Sequence, residues 1–287
     1  MTLPISIQQS VEEILSCKVL QIAALYGGDI NISLKLETDK GLFFLKWNDN
    51  KRFPLMFEKE ARGLKRIADC GAINTPTVIA TGNTEVEAFL LLSLIESSVQ
   101  KKNFWELFGQ QLATMHRCSS SKFGFDEDNY IGSLLQQNTT HDTFIDFFIQ
   151  ERLEVQLMLA EKSGKIETKH RKAFEALYKQ LPNILPIEPP ALLHGDLWSG
   201  NYMVNDQGEP CLIDPAVYYG YREIDLAMSN LFGRFDAAFY EGYHAAYPLE
   251  KGWQERLPIY NLYPLLVHVN LFGGGYLGEV ERVLRYY

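Results

Sequence analysis

Residues 192–201 read LLHGDLWSGN, and Asp214 follows Asn201 by thirteen positions. The stretch opens with two leucines, which indicates a short buried strand that runs into a polar loop. Asp214 also follows an apolar run, Cys211-Leu212-Ile213. The pattern therefore predicts a strand, a loop that carries Asp196 and Asn201, and a second strand that ends at Asp214.

The spacing of these three polar residues is typical of a kinase catalytic loop, with Gly195 where protein kinases have Arg. A hydroxyl that attacks a γ-phosphate needs a carboxylate to orient it and to accept its proton, and Asp196 suits this role. Mg²⁺ needs oxygen ligands that hold it against the ATP phosphates, and Asn201 and Asp214 suit that role. Each residue alone is more simply a cap or a turn residue, but the combination is much rarer.

A kinase also needs a cation for the phosphates. Lys46 lies in the second strand of a hairpin predicted by alternating runs at 31–38 and 42–47. On the following helix Glu58 and Glu60 compete as its partner. Glu60 shares the helix face of the apolar residues, whereas Glu58 points away from it, so we expect a Lys46–Glu60 ion pair. A partly exposed carboxylate is the alternative.

A glycine pair, Gly27-Gly28, precedes the first strand of this hairpin, where a kinase covers the phosphates with a loop. The segment lacks the full GxGxxG pattern. It is as well explained by an ordinary glycine turn as by a loop whose backbone N–H groups hold phosphate oxygens.

The spacing of apolar residues divides the chain into a β-rich part and a helical part. Long amphipathic helices are expected at 104–118, 143–161 and 167–180, followed by a Pro-rich connector at 181–190. We therefore expect an α+β fold with a β-rich N-lobe at 1–93, a hinge at 94–98 and a helical C-lobe at 99–287.

Composition excludes several classes of protein. The 287 residues are 46% apolar, which is enough to bury a large core and argues against disorder. With 36 acidic and 27 basic residues, the net charge of −9 argues against a general binder of nucleic acid or of anionic membranes. The first residues, MTLPISIQQ, lack the features of a signal peptide, and no apolar run approaches the length of a membrane span. We expect a cytoplasmic protein.

The region after the loop bears on the acceptor. Only ten residues separate Asp214 from Asp225, and no APE motif follows. That leaves no room for a regulated activation loop or a peptide-docking platform. A small molecule or an exposed adduct is therefore favoured over a protein Ser, Thr or Tyr.

Beyond single motifs, the chain resembles the fructosamine kinase (ketosamine-3-kinase) family. The resemblance rests on HGDLWSGN at 194–201, on DPAVYYGYRE at 214–223 and on DLAM at 225–228. Further matching pieces spread the similarity over nearly the whole chain: FEKEA at 57–61, FGF at 123–125, NYIG at 129–132, FF at 147–148 and RL at 152–153.

This resemblance implies a two-lobed protein-kinase-like fold, related to aminoglycoside phosphotransferases and choline kinases. It implies ATP-dependent, Mg²⁺-dependent phosphorylation of the sugar 3-hydroxyl of ketosamines, the glycation adducts of small amines or proteins. Phosphorylation destabilises the adduct and frees the amine, so that the reaction amounts to deglycation. The oligomeric state, the ketosugar and the amine carrier stay open.

The resemblance also assigns residues to roles. It makes Asp196 the base, Asn201 and Asp214 the magnesium ligands, and Lys46 with Glu60 the pair that positions the phosphates. It implies that adenine meets the backbone of a hinge that includes Ser93, Leu94 and Ile95, and that Asp225 braces the catalytic loop. His194 is expected to bond backbone in that loop, and Trp198 is either a sugar-stacking platform or a half-buried packing residue.

One departure concerns the acceptor. Tyr221 stands where the family typically has His, which affects the expected acceptor preference. The alternatives to a ketosamine kinase are another small-molecule kinase of the same fold, for an aminoglycoside or choline, and a non-catalytic nucleotide-binding regulator. The complete set of phosphoryl-transfer residues argues against the regulator.

Overall fold

A computed structural model describes residues 3–25 and 30–287. Gly27 and Gly28, the expected phosphate-covering glycines, lie outside the described residues. The chain divides into two compact units, the first formed by Met1–Phe104 with Tyr202–Pro215 and the second by Trp105–Asn201 with Ala216–Tyr287. The lobe boundaries drawn from sequence, at 93 and 98, stay a prediction.

A five-stranded antiparallel sheet forms the centre of the first unit, with strand order β1-β2-β3-β5-β4. The expected hairpin is present as β2 and β3, paired in register from Thr38 and Gly41 to Ile32 and Trp47. The elements are α1 (Ile5–Leu15), β1 (Val19–Leu25), β2 (Ile32–Thr38), β3 (Gly41–Asp49), α2 (Met56–Asp69), β4 (Val78–Asn83) and β5 (Glu87–Ser93).

The two helices of this unit cover opposite faces of the sheet. Ile7 of α1 packs in a buried cluster with Leu45, whereas Phe57 of α2 packs in another with Leu90. Successive strand residues point to opposite faces, so Lys46, directly after Leu45, belongs to the face that α2 covers. The alternation of the strand thus places a lysine beneath a helix.

A hairpin from the last third of the sequence completes the first unit. It consists of β9 (Tyr202–Val204) and β10 (Pro210–Leu212), paired antiparallel. Leu212 N donates to Asn74 O at 2.8 Å, and Ser98 Oγ donates to Asn205 O at 2.6 Å. These bonds join the hairpin to residues that precede it by more than a hundred positions, which local sequence patterns do not reveal.

The second unit is mainly helical. Two short antiparallel pairs, β6–β7 and β8–β11, accompany the helices. The elements are α3 (Phe104–Met115), β6 (Asn129–Ile131), β7 (Leu134–Gln136), α4 (Phe144–Phe147), α5 (Val155–Lys162), α6 (Thr168–Ile184), β8 (Ala191–Leu193), β11 (Tyr218–Gly220), α7 (Glu223–Leu231), α8 (Ala237–Ala246), α9 (Trp253–Tyr260), α10 (Leu262–Phe272) and α11 (Leu277–Leu284).

Two helix predictions differ from the structure. The continuous helix expected at 143–161 is interrupted by a π-helical stretch, Phe148–Glu154. The wider turn carries Arg152, which is fully buried with its guanidinium 3.9 Å from the ring centroid of Tyr218. The Pro-rich connector was expected to begin at 181, but α6 continues to Ile184 with Pro182 inside it. Pro182 removes one backbone hydrogen bond of the helix, to the carbonyl four residues earlier, and the helix ends two residues after it.

None of the helices in residues 3–25 and 30–287 combines the length and the apolar character required to cross a bilayer.

Candidate active site

A buried ion pair links β3 to α2. Lys46 Nζ lies 2.9 Å from Glu60 Oε1, and the two side chains are only 6% and 12% exposed. The ion pair expected from the apolar face of the helix is therefore present. Lys46 Nζ also donates a short hydrogen bond to Asp214 Oδ1. Lys46 thus holds a helix carboxylate and the aspartate after β10 at one point.

The charges around Lys46 keep it protonated. Burial alone would lower the pKa of its ammonium, but Glu60 and Asp214 beside it raise that pKa well above the usual value. A permanent cation is what a site for phosphate oxygens requires. Glu60 and Asp214 stabilise this ammonium, and an anionic ligand bound beside them would interact with the same positive charge.

Asp214 differs from its two partners in exposure and in backbone. Its side chain is 43% exposed, and its φ of 56° lies in the left-handed region that non-glycine residues seldom adopt. Strained backbone of this kind often marks a functional site. One carboxylate oxygen accepts from Lys46, and the other makes no hydrogen bond within the described residues.

In the second unit, hydrogen bonds from Asn201 to Asp196 close the loop between these two residues. Asn201 Nδ2 donates to the main-chain O and to the carboxylate Oδ2 of Asp196, at 2.8 Å each. Asn201 is buried, and its Oδ1 makes no hydrogen bond among the residues that the structure describes. The asparagine therefore orients the aspartate while it keeps one oxygen for a further ligand.

Asp225 supports the beginning of that loop from α7. Its carboxylate accepts from His194 N at 2.7 Å and from Gly195 N at 3.0 Å. Burial would raise the pKa of Asp225, but the hydrogen bond from His116 and the nearby donors lower it below its usual value. His194 Nδ1 accepts from Asp196 N at 3.2 Å, the backbone bond that was expected of this histidine.

Sequence reasoning missed His116. Its position in the sequence shows no ligand spacing to any other histidine, so the simplest interpretation from sequence is a packing or surface residue. In the structure it is buried and lies between Asp225 Oδ2, 3.1 Å from Nε2, and Tyr243 OH, 2.7 Å from Nδ1. These contacts join residues more than a hundred positions apart, so no local signal could have found them.

A cavity of about 350 Å³ lies beside the expected hinge. Its lining residues are Leu42, Leu94, Ile95, Glu96, Asn205 and Asp206. Leu94 and Ile95, which were expected to meet adenine, therefore line a cavity. Ser93 is not among the lining residues. Its N donates to Thr77 O, and its Oγ accepts from Thr77 N.

Two further residues concern the acceptor. Trp198 is 37% exposed and covers Gly200 so closely that a Cβ there would lie 2.4 Å from the ring. Tyr221, the departure from the family pattern, is buried and stacks on Phe144 with ring centroids 3.9 Å apart. Its ring therefore serves packing within the second unit.

Comparisons with known proteins agree with this geometry. The family model described as fructosamine kinase matches residues 4–287. The "Probable ketoamine kinase" of Enterococcus faecium is 38% identical over 268 residues, 92% of this chain and 94% of that protein. The crystal structure of a candidate fructosamine-3-kinase from Thermobifida fusca has a TM-score of 0.89 at 31% identity, with 98% and 97% of the two chains covered. The aminoglycoside phosphotransferase APH(4)-Ia, at 15% identity and a TM-score of 0.64 over 98% of both chains, shares the protein-kinase-like fold.

Proposed function

Because this chain belongs to the fructosamine kinase family, we propose that it transfers the γ-phosphoryl group of ATP to the sugar 3-hydroxyl of ketosamines. The enzyme is a ketosamine kinase, as its relatives at more than a third identity over most of the chain indicate. The observation that carries the residue assignment is the pair of bonds from Asn201 to Asp196, which presents a carboxylate in a fixed orientation.

Asp196 is the proposed base. Its carboxylate accepts a hydrogen bond from the acceptor hydroxyl and takes the proton as the oxygen attacks. The O3–P bond forms, the bond from phosphorus to the bridging oxygen of ADP breaks, and the proton passes to Asp196. Phosphoryl transfer asks little covalent chemistry of a protein, so orientation and charge supply most of the rate.

Asn201 and Asp214 are the proposed magnesium ligands. Each offers an oxygen that makes no hydrogen bond within the described residues, and amide and carboxylate oxygens are the donors that Mg²⁺ prefers. The available donor atoms therefore fit the ion. When bound with ATP, magnesium neutralises part of the phosphate charge.

Lys46 is the proposed contact to the phosphates, and Glu60 is its positioning residue. Glu60 fixes the ammonium at 2.9 Å from a buried carboxylate, so the cation has few alternative positions. We assign adenine to the 350 Å³ cavity beside Leu94 and Ile95. Main-chain groups there would form hydrogen bonds with the base, and the apolar side chain of Leu42 would pack on one of its faces.

The test is transfer of phosphate from Mg-ATP to a panel of acceptors: fructose- and ribulose-lysine, a free ketose, choline and an aminoglycoside. We expect turnover of the ketosamines alone, lost in Asp196→Asn. Turnover of choline or an aminoglycoside instead would favour another small-molecule kinase. Binding of ATP with no turnover of any acceptor would favour the non-catalytic regulator.

A further inference from the structure

A buried network of amide side chains holds the main chain at Ala216 and Val217 in the second unit. Gln136 and Asn129 face each other across the β6–β7 pair, and both are buried. Gln136 Nε2 donates to Ala216 O at 3.1 Å and to Asn129 Oδ1 at 2.7 Å. Asn129 Nδ2 donates to Val217 O at 2.8 Å. Two consecutive carbonyl groups are therefore held by one pair of side chains.

Ala216 contacts the two residues that precede the proposed base. Its N donates to His194 O at 2.9 Å. A Cβ on Gly195 would lie only 2.1 Å from Ala216 O, so this carbonyl and the Gly195 backbone are in close contact. Asp196 follows directly in the chain. A shift of the Ala216 carbonyl would therefore move the backbone from which the Asp196 carboxylate projects.

Tyr263 of α10 determines which end of the Gln136 amide meets Ala216. Its OH donates to Gln136 Oε1 at 2.7 Å. Burial raises the pKa of this hydroxyl, and the negative charge of Asp196 acts in the same direction, so Tyr263 remains a donor at neutral pH. Because Oε1 accepts from Tyr263, the NH2 group of Gln136 points to the Ala216 carbonyl.

A buried cation holds the other end of the network. Arg152 Nη2 donates to Asn138 Oδ1 at 2.6 Å, and Asn138 Nδ2 donates to Asn129 Oδ1 at 3.2 Å. The amide oxygen and nitrogen of Gln136 and of Asn129 are thus all hydrogen-bonded. Neither side chain can rotate without leaving a buried polar group unpaired, which is costly away from water.

We infer that Gln136 is a positioning residue for the proposed base, Asp196. Its amide, oriented by Tyr263, holds the Ala216 carbonyl in place. That carbonyl abuts Gly195, so the backbone that carries the base cannot shift. This inference rests on the proposed function, because it concerns the base of that reaction. Gln136 and Tyr263 are 1% and 4% exposed, and they act through the main chain rather than on a substrate.

Gln136→Met and Tyr263→Phe test this role. Gln136→Met keeps the length of the side chain and removes its bond to Ala216. We expect kcat on a ketosamine to fall about tenfold or more, because a small displacement of a catalytic group costs a large factor in rate. Tyr263→Phe should lower kcat about threefold to fivefold, the equivalent of one neutral hydrogen bond. The Kd of ATP should stay within about twofold in both variants, because Lys46 and the adenine cavity belong to the first unit.

The double variant distinguishes a chain of contacts from two independent effects. If Tyr263 acts through Gln136, Tyr263→Phe should lower kcat no further in the Gln136→Met background, and the double variant should equal Gln136→Met within about twofold. Losses that multiply, or a loss of ATP affinity as large as the loss of kcat, would overturn the inference. Tyr178→Phe is the matched control. It removes another tyrosine hydroxyl of the second unit, 2.8 Å from Glu154 Oε1, and should leave kcat unchanged.

Amide hydrogen exchange on the same variants makes the comparison without turnover. We expect the amides of residues 194–196 and of Ala216 to exchange about tenfold faster in Gln136→Met than in wild type, with no such change in Tyr178→Phe. Unchanged exchange there, or an unchanged kcat in the folded variant, would refute the inference. If Gln136→Met fails to fold, Tyr263→Phe provides the same two readouts.

The exchange measurement also separates this inference from the proposed function. A wild type that phosphorylates no ketosamine would contradict the proposed function. Faster exchange confined to the loop and to Ala216 would then still support the part of Gln136 in fixing Asp196, and its absence would refute that part.

Discussion

Asn201 Nδ2 bonds both the main-chain oxygen and the carboxylate of Asp196, each at 2.8 Å. One side chain therefore fixes the backbone that carries the proposed base and the rotamer of the base itself. Asn201 lies five residues after Asp196, and the loop between them turns so that the Asn201 amide contacts the residue at which the loop begins. Because these bonds hold the amide group of Asn201, they also fix the orientation of its oxygen, Oδ1.

Replacement of the base should separate catalysis from nucleotide binding. We expect Asp196→Asn to lower kcat by about 10²- to 10⁴-fold, the usual contribution of a general base. The Kd of ATP should stay within about threefold, because the variant keeps the adenine cavity and Lys46 and loses only a proton acceptor. Steady-state kinetics and calorimetry measure the two quantities. A loss of ATP affinity as large as the loss of kcat would contradict the assignment.

Lys46 should act on the nucleotide. Lys46→Met removes the cation that the phosphates would contact, and we expect the KM of ATP to rise about tenfold or more, since a charged hydrogen bond contributes about 1.5–3 kcal/mol. Lys65→Met is the matched control, because Lys65 forms an exposed pair with Asp69. An unchanged KM in Lys46→Met would exclude the proposed contact.

Part of this site follows from local patterns in the sequence. The alternating runs at 31–38 and 42–47 predicted the β2–β3 hairpin, because a two-residue side-chain period is a local property. Glu60 was chosen over Glu58 as the ion-pair partner by helical spacing, and the structure shows the Lys46–Glu60 pair at 2.9 Å. Both predictions needed only residues adjacent along one strand or one helix.

Other features depend on contacts between distant residues. The bond between His116 and Asp225 joins positions 109 apart, and nothing in the neighbourhood of His116 distinguishes it from a packing histidine. The placement of Tyr202–Pro215 in the first unit depends likewise on the bond from Leu212 to Asn74. The spacing of apolar residues predicts whether a segment is a helix or a strand, but not which other element packs against it.

Trp198 should affect the acceptor more than ATP. If its ring stacks on the sugar, Trp198→Ala should raise the KM of a ketosamine about threefold to tenfold, since an aromatic contact is worth about 1 kcal/mol. Trp198→Phe should retain most of the affinity. Initial rates with ATP and ketosamine varied in turn distinguish the two substrates. Equal changes in both KM values would indicate that the ring only packs on Gly200.

Asp225 should make the protein sensitive to acid. Its pKa is lower in the folded protein than in the unfolded chain, so its stabilisation is complete above the ordinary Asp pKa of about 3.9 and is lost as the pH falls through the folded value. We expect Asp225→Asn to reduce the free energy of unfolding at pH 7 by about 3 kcal/mol. Between pH 5 and pH 3 the variant should lose less stability than wild type.

Urea unfolding at several pH values measures this difference, and Asp69→Asn, on the exposed end of α2, serves as the control. A variant whose stability falls with acid as steeply as that of wild type would show that Asp225 is not the group responsible. In Asp225→Asn the catalytic loop should move as well. The amides of His194 and Gly195 each bond one carboxylate oxygen of Asp225, and the variant replaces one of these oxygens with an NH2 group.

Gly195 should tolerate no side chain. Its φ is 81°, and a Cβ there would lie 2.1 Å from Ala216 O, a backbone atom that cannot turn aside. Gly71 has a similar φ of 63° with nothing within 4 Å of its Cβ position. The pair therefore separates backbone strain from steric overlap: both Gly→Ala variants incur the cost of the left-handed conformation, about 1–2 kcal/mol, and only Gly195→Ala also meets an obstacle.

We expect Gly71→Ala to lower stability by that amount and to leave kcat unchanged. Gly195→Ala should be less stable still, and its kcat should fall at least tenfold, because the overlap displaces the amide that Asp225 holds and with it the adjacent Asp196. Thermal unfolding and steady-state rates on a ketosamine give both numbers for both variants. If Gly195→Ala lost no more than Gly71→Ala in either measurement, the close approach of the loop to Ala216 would have no part in placing the base.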